Sequence, residues 1–177
     1  NARCVNGHFI CDSCHEQMGL RVIEDICRHT DSKDPVAIMK KIILSPYIYM
    51  HGPEHHVLVG SALLAAYKNA GGELVLDAAL EEMRNRGAQV PGGICGLWGT
   101  CGAAVSTGIF VSLITGASPL SGKEWGLCNE MTSRSLGAIA KTGGPRCCKR
   151  DSYLSIIEAV RFTEEKLGVH MEIKEFS

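Results

Sequence analysis

Four short strings concentrate the residues able to do chemistry. His51-Gly-Pro-Glu54-His55-His56 brackets a helix start with three imidazoles and a carboxylate. Neutral imidazole is the commonest protein metal ligand, and Glu54 could orient a ligated ring or act as a general base with His55. The same residues also read as an acidic helix start followed by surface or core histidines. The apolar run Val57-Leu58-Val59 buries this helix at once, which moves at least one histidine inward.

Gly92-Gly93-Ile-Cys95-Gly96-Leu-Trp98-Gly99-Thr-Cys101-Gly102-Ala-Ala is rich enough in glycine for the backbone to approach a ligand closely. A helix follows, whose unpaired amides and positive dipole end face Cys101. A thiol so placed is expected to have a depressed pKa and to act as nucleophile or metal ligand. Trp98 could line a pocket. No Gly-Lys-Ser/Thr follows and no strand precedes the glycines, so neither phosphate loop nor dinucleotide fingerprint is present. Tight helix packing with two inert cysteines is the competing reading.

Gly143-Gly-Pro-Arg146-Cys147-Cys148-Lys149-Arg150-Asp151 pairs vicinal cysteines with three cations. Adjacent cysteines make only a strained mutual disulfide, so Cys147 and Cys148 suit a metal or a sulfur partner elsewhere. Arg146, Lys149 and Arg150 would stabilise thiolates or hold an anionic substrate. Cations at a helix start oppose its dipole, a local cost that suggests an anion or thiolate is present. The plain alternative is a basic helix start with one buried and one exposed cysteine.

The fourth string is N-terminal: Cys4-Val-Asn-Gly-His8-Phe-Ile-Cys11-Asp-Ser-Cys14. Cys4, His8, Cys11 and Cys14 supply the sulfur and nitrogen ligands that tetrahedral zinc prefers, as a folding staple. A redox dithiol at Cys11 is the alternative, without the βαβ context that would support it. Cys27 and Cys128 read as core residues.

Helices must position these groups. Met18, Val22 and Ile26 with Leu20, Ile23 and Cys27 recur at helical spacing up to His29. Asp34-Pro35 is an N-cap with proline in the first turn, and Ser45-Pro46 stops that helix. A third helix runs from Glu54 to Gly71-Gly72, and a fourth covers Asp77 to Arg86 with Leu80 and Met83 inward. Ala103 to Ile114 reads as a helix buried at the centre of the domain. From 88 to 122 there is no Asp, Glu, Lys or Arg, yet the apolar part falls short of the roughly 20 residues a membrane span needs. Ser121 or Gly122 opens a helix with Trp125, Cys128, Thr132, Leu136 and Ile139 on one side. Asp151 or Ser152 opens the last, with Leu154, Ile157, Val160, Arg161 and Glu164. Val169 to Ile173 alternates and suits a short strand or an extended tail.

The chain of 177 residues has 45% hydrophobic and 21% charged residues, which fits one folded domain and disfavours disorder. Net charge is −1 and aromatic content 6%, so no electrostatic or stacking surface for nucleic acid is expected. No basic start followed by an apolar run appears near Asn1, which makes the cytoplasm the expected compartment. There, nine cysteines would be reduced thiols or metal ligands rather than disulfides.

The strings at 51–56, 93–104 and 143–151 together resemble an uncharacterised family of anaerobic prokaryotes, domain of unknown function 5714. The resemblance extends from the Cys4 knuckle to about Leu167. It implies no activity. It does imply an N-terminal zinc-ribbon-like piece whose first Cys-x-x-Cys would lie before Asn1.

The expectation is an all-α protein: a knuckle at 1–15 and a compact multi-helix bundle at 16–177. His51, His55, His56, Cys95, Cys101, Cys147 and Cys148 would converge on one pocket holding zinc, iron or an iron–sulfur cluster. Cys101 would then be nucleophile or ligand, Glu54 or His55 the proton carrier, and Arg146 with Arg150 the anion clamp. Redox or sulfur chemistry on a small molecule, or exchange with a protein thiol, would follow. The alternative is a non-enzymatic, zinc-stabilised interaction module.

Overall fold

In the computed structural model the described residues are 2–5 and 8–174, with side chains from Gln17 onward. The backbone of β1 (Ala2–Val5) and β2 (His8–Cys11) pairs antiparallel, Cys4 opposite Phe9. The side chains of Cys4, His8, Cys11 and Cys14 lie outside the described residues. Eight helices follow: α1 (Asp12–His29), α2 (Pro35–Ile43), α3 (His55–Asn69), α4 (Leu76–Gly87), α5 (Ile94–Leu97), α6 (Gly102–Thr115), α7 (Lys123–Thr142) and α8 (Cys148–Leu167). Apart from the hairpin, the described residues are helices and connections. The eighteen residues of α1 run through His15 without a break.

The hub is α3. Every residue from His55 to Tyr67 is buried, and α1, α2, α4, α6 and α8 all pack against it. A helix apolar all round must sit at the centre. The uncharged α6, expected at that place, is second to it: it packs on α3, α4, α7 and α8 and leaves Val105, Ile109 and Leu113 partly open. Small residues let these helices close up. Gly60 of α3 lies against Met83 and Ser106, whose hydroxyl accepts the Gly60 N–H at 2.9 Å. Gly108 of α6 lies against Thr132 of α7.

The start of α2 is as read. Asp34 Oδ1 accepts the N–H groups of Val36 (2.8 Å) and Ala37 (3.0 Å), with Pro35 in the first turn. Cys27, Leu80 and Met83 are fully buried. Two helix faces differ from expectation. α7 buries Met131 and Ser135, while Trp125 is 53% exposed. α8 begins three residues earlier than the expected Asp151 and buries Ser155, Ile156, Ala159 and Phe162, leaving Leu154 and Ile157 at intermediate positions. In both cases the buried face mixes small residues, Ser135 on α7 and Ser155 and Ala159 on α8, with large ones, Met131, Ile156 and Phe162. After α8 the chain runs to 174 without a strand ladder. Met171 is buried there, and the Glu172 N–H donates to Lys33 O at 2.9 Å.

Candidate functional site

The turn before α3 is built on Glu54. Its carboxylate accepts the Tyr49 N–H at 3.1 Å and folds over Gly52, where any Cβ would collide with it. Glu54 is thus buried in its own turn and lines neither lobe of the cleft described below. His55 is 1% exposed, and both of its ring nitrogens are engaged: Nε2 donates to Tyr49 O at 2.9 Å, and Nδ1 lies 3.2 Å from Ser152 Oγ. The single proton of that hydroxyl serves Cys148 O at 2.7 Å or Nδ1, and in either case Ser152 sets His55 of α3 against the start of α8. Burial holds its pKa below the ordinary value, and Lys149 and His51 act in the same direction.

His56 differs. Its Nδ1 donates to Val90 O at 2.9 Å, which leaves Nε2 without a partner among the described residues. The ring lies against Gly102, and a Cβ at that position would overlap it. Burial lowers the pKa of His56 as well.

The glycine-rich loop folds around α5, a single turn. Gly93 takes a left-handed φ of 86°, Ile94 anchors the turn in the interior, and Gly99 takes a φ of 67°. Cys101 then sits in extended geometry as the N-cap of α6, with no side-chain cap bond. Its Sγ donates to Asp151 Oδ2 over 3.9 Å, a long contact even for sulfur. The expected depressed pKa is not found. Burial pushes the Cys101 thiol up to about 11, the amides of Ala103 and Ala104 oppose that, and the Asp151 carboxylate adds to it. At neutral pH the thiol keeps its proton and Asp151 faces it as the acceptor.

At the start of α8 the vicinal pair divides. Cys147 is the N-cap and lies off the cleft, and Cys148 points into it. Burial raises the Cys148 pKa, opposed by the Gly52 amide and the Arg146 guanidinium. Arg150 is spent on structure: it donates to Gly143 O (2.8 Å), Pro145 O (3.3 Å) and Asp151 Oδ1 (3.0 Å). Those bonds hold the 143–146 turn, with its cis Gly144–Pro145 bond, against α8.

These segments enclose a cleft with two lobes. One, of about 350 Å³, is lined by His51, His55, His56, Cys95, Cys101, Arg146, Cys148 and Asp151 among others. The second, of about 440 Å³, shares Cys95, Cys101, Arg146 and Asp151 and continues along Leu136, Ile139 and Ala140 of α7. Both volumes are in the usual range for small-molecule sites.

The model of a family of unknown function, DUF5714, matches residues 23–177. The chain belongs to DUF5714. No curated protein and no solved structure matches it. The whole cleft lies inside the DUF5714 segment, whereas the N-terminal hairpin lies outside it. Of the residues expected to converge, the DUF5714 cleft gathers His51, His55, His56, Cys95, Cys101, Arg146 and Cys148, and places Arg150 in the second lobe. Glu54, Cys147 and Lys149 do not line it, and Trp98 is 68% exposed on the outer side of the loop. Among the described residues no three His, Cys, Asp or Glu side chains are grouped to hold a metal ion. Asp151 was legible only as a helix-start residue. Its role beside Cys101, fifty positions away, comes from the packing of α6 on α8. No helix among the described residues is long and apolar enough to cross a membrane.

Proposed function

We propose that this DUF5714 protein is a thiol-dependent enzyme acting by dithiol–disulfide exchange on a small molecule bound in the cleft. One observation carries the reading: Cys95, Cys101 and Cys148, from three separate segments, line a single cavity, with a buried carboxylate beside one of them. Cys101 passes its proton to Asp151, and the resulting thiolate is held by the amides at the start of α6. It attacks one sulfur of a substrate S–S bond, which breaks to give a mixed disulfide and a first leaving thiolate that takes the proton. A second thiolate, from Cys95 or Cys148, attacks Cys101 Sγ and releases the second thiol. The dithiol has then lost two electrons and two protons to the substrate, and an external thiol of small-molecule or protein origin returns them.

Among the described residues no three His, Cys, Asp or Glu side chains are grouped to hold a metal ion, so no step is routed through one. Zinc at Cys4, His8, Cys11 and Cys14 remains part of the proposal as a folding staple.

The test is mapped alkylation with neutral iodoacetamide, followed by turnover of a small-molecule disulfide. Cys101 should react slowly at pH 8, and its rate should climb about tenfold per pH unit toward 11. Cys101→Ser should abolish disulfide turnover, whereas Cys147→Ser should retain it. If wild type and Cys101→Ser are equally inert, the protein is better read as a non-enzymatic module.

A further inference from the structure

The starts of α6 and α8 meet at the cleft, where Asp151 is the one carboxylate among the lining residues and faces both lobes. α6 has no acidic residue in its first turn and no side-chain cap, and its N-cap is a protonated thiol. α8 has no cap bond, and its one first-turn acid, Asp151, is already bound by Arg150. The unpaired amides of a helix start are a ready site for an anion. Arg146, which lines both lobes, has no hydrogen-bond or ion-pair partner among the described residues.

One further observation points to a ligand. His56 is 8% exposed and lines the cleft, and its Nε2 is unpartnered. That nitrogen carries a lone pair and can accept from a protic headgroup, such as the hydroxyl of a singly charged phosphate. Gly92, Gly96 and Gly144 line the cleft without a positive φ, and a Cβ on any of them would meet nothing within 4 Å. Neither backbone conformation nor internal packing demands glycine there. A side chain at any of the three would enter the cleft.

We infer that the cleft binds a small amphipathic anion, its headgroup at the starts of α6 and α8 beside His56 and Arg146, its apolar portion along Leu136, Ile139 and Ala140. This rests on the thiol-exchange reading for its chemistry and gives that reading its substrate class. The two lobes join at Cys95 and Cys101, so the thiols face the junction between head and tail.

The experiment is calorimetric titration of the full reduced chain with hexanoate, hexyl phosphate, hexanamide and acetate at fixed ionic strength. At least one of the two amphipathic anions should bind tenfold or more tighter than hexanamide and acetate, and the better of the two identifies the headgroup as carboxylate or phosphate. Arg146→Gln, at an exposed position, should weaken that anion fivefold or more and leave hexanamide unchanged. Gly96→Leu should fill the apolar lobe and bring the amphipathic anion down to the level of acetate. Equal binding of hexanoate, hexyl phosphate and hexanamide, indifference to Arg146→Gln, or no binding of any probe overturns the inference. Charge-selective binding by a protein whose thiols do not exchange would leave it standing and remove the thiol reading alone. Active thiols with charge-blind binding would do the reverse.

Discussion

At the start of α2, one carboxylate closes the helix. Asp34 takes the amides of Val36 and Ala37 on one oxygen and the Lys174 N–H, at 3.1 Å, on the other. At the start of α6 the residue in the same position is Cys101, a thiol that points its proton at Asp151 and makes no side-chain cap bond of its own. α4 and α7 also lack cap bonds but have Asp77 and Glu124 in their first turns. The bundle therefore answers one physical demand, the orphan donors of a helix start, in two ways. Where only stability is at stake the chain supplies its own anion. Around the cleft the one first-turn acid, Asp151, is paired with Arg150 and turned toward Cys101, and thiols, glycines and Arg146 line the rest, which fits a site with room for an anion from outside.

Removing the internal anion should have the largest effect. Asp34→Ala strips three amides of a buried, charged acceptor and should cost about 3 kcal/mol in urea unfolding. The cleft should be untouched, with alkylation of Cys101 and ligand affinity as in the wild type. A loss confined to a few tenths of a kcal/mol would show that α2 does not depend on its cap and would dissolve the contrast.

Gly102→Ala is the matching insult at the open end. The new Cβ would overlap the His56 ring, which Val90 O holds from the other side, so ring or helix must shift at a cost of about 2 kcal/mol. Unlike Asp34→Ala, this variant should also lose binding in the cleft. Unchanged stability together with an unchanged His56 imidazole signal in NMR spectra would show that the helix start yields more easily than its packing suggests.

Acidification should act on the cleft end next. Burial holds His55 and His56 below their ordinary pKa, so around pH 5–6 the unfolded chain binds more protons than the folded one. Their contribution to stability is full above about pH 6.5 and is lost as pH falls through the folded values, at no more than about 1.4 kcal/mol per pH unit for each ring. Urea midpoints between pH 7.5 and 5.5 should show the decline, and His56→Gln should flatten it. A wild-type midpoint that stays level over this range would mean that the two rings take up protons in place.

Much of the bundle was readable because its signals are local. Asp34-Pro35 states a helix start in two residues, and Val57-Leu58-Val59 announces the buried α3. The cleft was readable as three strings but not as a constellation. Glu54 looks like a base by composition, yet Gly52 gives its carboxylate a place to fold back over the turn. Cys147 and Cys148 look equivalent, yet one residue of helix rotation sends them to different environments. Asp151 gains its meaning only from Cys101 across the α6–α8 contact. α5 is a single turn, too short for periodicity to show.

The smallest effect sharpens the comparison most, because it should carry opposite consequences at two similar positions. Cys101 and Cys147 are both N-caps in extended geometry without cap bonds. Serine at either position supplies a hydroxyl that can accept a first-turn amide, worth about 0.5–1 kcal/mol of added stability. Cys147 lies off the cleft, so Cys147→Ser should be more stable and bind amphipathic anions unchanged. Cys101→Ser should gain similarly but bind them more weakly, because the new cap takes up amides that would otherwise face the ligand. A helix start that becomes stronger and a site that becomes weaker, in one substitution, is the trade expected where donors are kept open for a ligand. If Cys101→Ser gained stability with no loss of anion affinity, the α6 amides would not belong to the site, and Arg146 and His56 would have to hold the headgroup alone.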